Sequence, residues 1–280
     1  MSYGAVTVVN AIPCGTGAAV GIDLKTRACF VAGGSGKGVR IINDPDEDTG
    51  MAMICVKNVF EHFGVMEPDD WSLSVDSEIP VSRGLKSSSS ACNAVISAVS
   101  GWIRNEHGRG FNDKEEDTIE MIRLGTRCAR EANVTVTGAF DDACACHLGG
   151  LVITDNKNDT ILRRTAAEEY DVILLVPDRK IRKPSLDKQR LYALSERMTD
   201  ILRLAERDWL SALTENGRLV AIALNIEDRV STSAVNNGAL AAGVSGTGPA
   251  VSVVVAKGDG KSFLKDLDHD GYISIVTRTR

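Results

Sequence analysis

The chain has 280 residues with 32 basic and 38 acidic side chains, a net charge of −6. That balance excludes a non-specific nucleic-acid binder and leaves length for one large domain or two modest ones. Seven cysteines scattered from Cys14 to Cys146 do not form a secreted disulfide framework and predict a reducing, cytoplasmic setting.

Residues 1–22 and 231–256 carry no charge. Asn10, Pro13 and glycines interrupt the first run, and no basic segment precedes it, so neither a signal peptide nor a membrane span is expected. Tyr3 to Val9 reads as a strand. Ala11 to Ala19, with Gly15, Thr16 and Gly17, is a small-residue loop that suits a tight turn and a close approach to a ligand equally. Thr26 to Ala32 and Val39 to Ile42 read as a strand pair around Gly33-Gly34-Ser35-Gly36-Lys37-Gly38. This loop is no Walker A: Gly38 stands where a Ser or Thr must hold magnesium. A hairpin tip is expected there. Asp46-Glu47-Asp48 is expected as a solvated turn before a helix from about Thr49 to Phe63.

Trp71, Leu73 and Val75 alternate with polar residues, a strand with one buried face. Ala91, Ala94, Ala98 and Trp102, with Val95, Val99 and Ile103, form one apolar helical stripe. Between strand and helix runs Pro80-Val81-Ser82-Arg83-Gly84-Leu85-Lys86-Ser87-Ser88-Ser89-Ser90. A capped helix needs one serine. Four serines beside Lys86 supply several donors and a positive charge at a helix start, which fits a phosphate cradle.

A second helix is expected over Lys114 to Ala132. It is followed by Val134-Thr135-Val136-Thr137-Gly138-Ala139-Phe140-Asp141-Asp142-Ala143, in which two carboxylates sit among small apolar residues, and then by the apolar run Leu151 to Ile153. Cys144, Cys146 and His147 lack a second ligand pair at zinc spacing, so packing is expected of them. Charge density rises from Asn156 to Glu169, and a boundary is placed there, giving units of 1–160 and 161–280. Beyond it come a strand, Val172 to Val176, and a basic stretch from Arg179 to Lys183 that reads as a solvated loop or a lid. One long helix from Leu191 to Leu213 is expected to stop at Asn216-Gly217. A helix at Ser233 to Ala242, a glycine-rich turn at Gly243 to Pro249 and strands at Ala250 to Ala256 and Tyr272 to Thr277 complete the reading.

Three of these segments resemble the GHMP kinases (galactokinase, homoserine kinase, mevalonate kinase and phosphomevalonate kinase). Pro80-x-x-x-Gly84-Leu85-x-Ser87-Ser88 is similar to their nucleotide loop, Thr137 to Ala143 to the segment with their catalytic aspartate, and Gly243 to Pro249 to their third motif. The loop departs at Lys86, where many members carry glycine, and the first motif lacks their lysine. The resemblance implies a two-domain α+β fold, with an N-terminal domain of the ribosomal-protein-S5 type, and ATP with Mg²⁺ in the cleft. It implies that Pro80, Arg83, Gly84, Leu85, Lys86, Ser87, Ser88, Ser89, Ser90, Gly246 and Gly248 bind the nucleotide. By the same resemblance, Ser88 and Glu131 are expected to hold Mg²⁺. Asp141 or Asp142 serves as the base: the count from Gly138 favours Asp141 and the count back from Gly149 favours Asp142. Lys86 is expected to replace the missing charge. Asn10-Ala11, Gly15 to Ala19, Gly21 to Leu24 and the double-aspartate segment most resemble the archaeal shikimate kinases, with homoserine kinases next. That likeness implies shikimate as the small-molecule substrate, met by Gly15, Thr16, Gly17, Asp23, Thr135 and Thr137. A non-catalytic ligand-binding member is the remaining reading, and no nucleic-acid or membrane partner is expected.

Overall fold

The computed structural model describes residues 1–81, 83–177 and 188–280. The basic stretch from Arg179 to Lys183 lies outside them. In chain order the elements are β1 (Ser2–Val9), β2 (Thr16–Ala32), β3 (Lys37–Ile41), α1 (Gly50–Phe63), β4 (Trp71–Ser77), α2 (Ser87–His107), α3 (Glu115–Glu131), α4 (Phe140–Leu148), β5 (Leu151–Asp155), β6 (Thr160–Thr165) and β7 (Tyr170–Pro177). Then follow α5 (Lys188–Tyr192), α6 (Ser195–Ala205), α7 (Trp209–Leu224), α8 (Arg229–Asn236), β8 (Ala241–Val244), β9 (Val251–Ala256), α9 (Gly260–Asp266) and β10 (Tyr272–Arg278). This is an α+β fold. No helix among the described residues is long and apolar enough to cross a membrane.

The long strand β2 organises the first sheet, ordered β3-β4-β2-β5-β6, with β1 also paired to β2. Both faces of its centre are covered, and the alternation of side chains along the strand explains how. Ala18, Val20, Ile22 and Leu24 enter a core shared with the second half of the chain, whereas Ala19 enters the core beneath α1 to α4. Leu151 and Ile153 divide from Val152 in the same way. An uninterrupted apolar run such as Leu151 to Ile153 is what a strand buried on both faces requires. Under the helices Phe30 anchors an aromatic cluster, its ring centroid 5.5 Å from Trp71, 5.6 Å from Trp102 and 5.9 Å from Phe60. The second sheet, β10-β7-β9-β8, is antiparallel throughout.

Three local expectations change. The glycine loop at residues 33–36 does not close a hairpin ladder, because β4 inserts between β2 and β3, pairing antiparallel with one and parallel with the other. Within the stretch from Asn156 to Glu169, where the charge density rises, the chain completes the β5–β6 hairpin, and the change of sheet falls between Thr165 and Tyr170. The long helix expected from Leu191 to Leu213 is three helices, α5 to α7. Asn216-Gly217 is no stop signal but lies inside α7, where a Cβ on Gly217 would come within 2.5 Å of the Gly243 α-carbon. The expected helix at Ser233 to Ala242 is the end of α8 followed by β8. Glycine and a buried amide here serve close packing against β8 and a bond to the N-terminal half, not chain reversal.

Candidate active site

Two helices begin at one cleft of about 320 Å³. The start of α2 is preceded by Lys86 at φ 67°, and the start of α4 by Ala139 at φ 54°. Left-handed residues at these points turn each chain abruptly from loop to helix. The first-turn N–H groups of both helices have no intrahelical acceptors, and together with the two macrodipoles they favour anions at this end of the fold.

The loop before α2 is fixed by the turn between β8 and β9. Gly84, at φ +87°, lies so close to that turn that a Cβ would collide with the Ser245 carbonyl. Ser245 Oγ donates to the Gly84 carbonyl at 2.9 Å and accepts from the Thr7 N–H at 3.1 Å, and the Ala250 N–H donates to the Arg83 carbonyl at 3.0 Å. Asn10 adds a further tie, its side chain donating to the Gly246 carbonyl at 2.9 Å while its N–H donates to Asn216 Oδ1 at 2.8 Å. Segments distant in sequence thus meet around one loop.

At the start of α4, Asp141 and Asp142 are both buried, and their environments differ. Lys86 Nζ lies 3.0 Å from Asp142 Oδ1, in a pair largely shielded from solvent. Asp141 accepts a 2.7 Å hydrogen bond from Asn156 Nδ2, and its N–H donates to Asn156 Oδ1 at 3.1 Å. Its other oxygen rests over Gly17, where a Cβ would collide with it. Burial, then the neighbouring Asp142 charge, push the Asp141 pKa up to about 7, against the opposing pull of Lys86 and Asn156.

Of the residues expected from sequence, Gly84, Lys86, Ser87, Ser88, Ser89, Thr135, Thr137, Asp141, Asp142, Gly246 and Gly248 line this one cleft. Others stand behind it. Leu85 is in the core, Ser90 is fully buried, and Arg83 holds the loop through its carbonyl; Pro80 is not on the wall. Gly15 and Thr16 are also off the wall: Gly15 accepts from the Asn156 N–H, and Thr16 pairs with Asp155. Gly17 supports Asp141. Asp23 is off the wall as well: it lies farther along β2, paired with Arg278 at 3.1 Å and with Lys25. Glu131 is not part of the cleft lining: it ends α3, is exposed, and accepts a 2.8 Å bond from Asn58 of α1.

Residues absent from those expectations complete the wall, among them Thr7, Asn10, Asn133, Thr247, Glu47 and Asp48. The acidic pair was legible only as a solvated turn. Thr7 had a weak signal, a polar residue in an apolar strand, and its Oγ1 is buried with no partner among the described residues. No group of three His, Cys, Asp or Glu side chains among the described residues forms a metal cluster, and Cys144 and Cys146 are packed in α4.

Residues 51–150 match the family model described as the GHMP kinases N terminal domain. The chain is 38% identical to the shikimate kinase of Methanobrevibacter smithii over 88% of its own length and 84% of that protein's. It is 40% identical to the shikimate kinase of Methanothrix thermoacetophila, over 91% and 84%. The chain belongs to the shikimate kinase branch of the GHMP kinase family. Solved GHMP kinases share its fold. The mevalonate kinase of Methanococcus jannaschii superposes with a TM-score of 0.77 at 16% identity, covering 100% of this chain and 98% of that one. The galactokinase of Lactococcus lactis superposes with a TM-score of 0.69 at 14% identity, covering 99% and 92%. Membership of a kinase family implies ATP as the phosphoryl donor and a small molecule as acceptor.

Proposed function

We propose that this protein transfers the γ-phosphoryl group of ATP to a hydroxyl of shikimate, giving shikimate 3-phosphate for the synthesis of chorismate and the aromatic amino acids. The observation that carries this reading is the kinship with shikimate kinases at 38% and 40% identity over most of the chain. The cleft supports it with parts suited to phosphoryl transfer, which needs positioning and charge stabilisation rather than covalent chemistry from the protein.

In this reading the α2 N–H groups and the Ser87 to Ser89 hydroxyls hold the ATP phosphates, with Lys86 beside them. Asp141 accepts the proton of the shikimate hydroxyl as it attacks. A carboxylate with a pKa of about 7 is matched to proton transfer near neutral pH, whereas Asp142 is committed to Lys86. Thr135 and Thr137, on the same wall as Asp141, offer hydroxyls to the substrate ring.

Mg²⁺ fits this wall. Four carboxylates, Glu47, Asp48, Asp141 and Asp142, line the cleft with Lys86 as the only lysine or arginine of its described lining, so a polyanionic nucleotide needs a further counter-charge. Ser88 and the phosphate oxygens are hard donors that would hold the ion, which would neutralise charge on the transferring group. Chelation with EDTA is expected to abolish turnover, and added Mg²⁺ to restore it. A coupled ADP-release assay with ATP and Mg²⁺ across shikimate, homoserine and mevalonate tests the assignment. Turnover with shikimate alone is expected; turnover with homoserine and none with shikimate would overturn the substrate and leave the kinase reading intact.

A further inference from the structure

Asn156 follows β5 directly, is 1% exposed, and makes a hydrogen-bond set larger than its place in a strand-end turn requires. Its Oδ1 accepts from Thr154 Oγ1 at 2.6 Å and from the Asp141 N–H at 3.1 Å. A backbone N–H can only donate, so this fixes which end of the amide is oxygen. The Nδ2 group is thereby directed at Asp141 Oδ1, 2.7 Å away, and at Thr137 Oγ1, 3.3 Å away. The backbone of Asn156 is tied down as well. Its N–H donates to the Gly15 carbonyl at 2.8 Å, and its carbonyl accepts from Arg130 Nη2 at 3.0 Å. That guanidinium is itself clamped by both oxygens of Asp159, at 2.7 and 2.8 Å.

We propose that Asn156 is the positioning residue for Asp141: its amide commits one carboxylate oxygen and leaves the other to take the substrate proton. The proposal rests on the reading of Asp141 as the base. The amide grips Asp141 at two points, N–H and Oδ1, and this fixes the side chain's rotation about the start of α4. A neutral donor on a buried carboxylate also favours its charged form. Burial and Asp142 oppose ionisation, so Asn156 keeps the base available at neutral pH. Through Thr137 and Gly15 the same residue links the base to the threonine wall and to the loop after β1.

The test is the pH dependence of kcat for shikimate phosphorylation in the full-length protein, with Asn156→Ala, Thr154→Val and Asp141→Asn. Asn156→Ala is expected to move the acid limb upward by about one pH unit, the scale of one lost charge-assisted hydrogen bond. Its kcat then falls about tenfold at pH 6 and recovers towards pH 9, while the affinity for a non-hydrolysable ATP analogue stays unchanged. Thr154→Val frees the amide to rotate and gives a smaller shift of the same sign. This variant decides the matter if Asn156→Ala does not fold. An acid limb that stays in place in the folded variants, whatever the loss in kcat, overturns the role of Asn156 alone, provided Asp141→Asn is impaired. Native turnover by Asp141→Asn overturns the base assignment and this proposal with it.

Discussion

Lys86 carries two separable properties, a backbone in the left-handed region and a charge against Asp142. A left-handed conformation costs an ordinary residue roughly 1–2 kcal/mol and glycine almost nothing. This accounts for glycine at the matching position in many GHMP kinases, and for the lysine here needing its ion pair as compensation. Lys86→Gly should therefore be more stable than Lys86→Ala by about 1 kcal/mol in urea unfolding. Both should lose ATP affinity and rate, because both lack the ammonium group. The neighbouring Asp141 gives a pH prediction. Its folded pKa of about 7 lies above the ordinary aspartate value of 3.8, so ionising it costs stability progressively as pH rises through that interval. Asp141→Asn is accordingly expected to raise Tm relative to the wild type at pH 8, with the advantage vanishing below pH 4. The same protonation predicts that wild-type kcat falls as pH drops below about 7.

At the level of elements, Gly217 separates two opposed effects. In an exposed helix Gly→Ala stabilises by roughly 0.5–1 kcal/mol. Here the new methyl would meet Gly243 Cα at 2.5 Å and Val244 N at 2.6 Å, backbone atoms that cannot swing aside. Overpacking wins, and Gly217→Ala should destabilise by about 1–3 kcal/mol in urea unfolding. This case also explains the limits of what was legible. Apolar patterning located β1, α1, β4, α2, α3, β7, β9 and β10: one-sided burial writes a period into β4 and α2, and burial on both faces leaves apolar runs at β1, β7 and β9. It failed at Asn216-Gly217, whose chemistry reads as a helix stop but serves a helix-strand contact formed across the fold. It failed again at β6, where no residue is fully buried and so none sets a period, and at the β3–β4 pairing, since strand order is a property of the assembled sheet. Spacing along the chain likewise carried no information about the partners of Asp23 and Glu131, which are Arg278 and Asn58.

Across the whole molecule, the two halves are joined where the chemistry is proposed. Ser245, in the second half, holds both the Thr7 N–H and the Gly84 carbonyl, and the core on one face of the first sheet runs on into the second. Ser245→Ala strands two backbone groups and should cost about 1–3 kcal/mol of stability. It is also expected to raise KM for ATP more than it lowers kcat, since the loop that moves is the one assigned to phosphate. The three motifs were readable because each needs glycine, serine or aspartate where few other residues would serve. Their convergence was not readable, and neither was the difference between the two aspartates, which arises from Lys86 on one side and Asn156 on the other. That difference is the centre of the account, and the most direct test is kcat with shikimate and saturating ATP for Asp141→Asn beside Asp142→Asn. The account predicts a fall of roughly 10²-fold or more for Asp141→Asn, a smaller fall for Asp142→Asn, and near-native ATP binding by Asp141→Asn. Native turnover by Asp141→Asn, or a larger loss from Asp142→Asn, would contradict it.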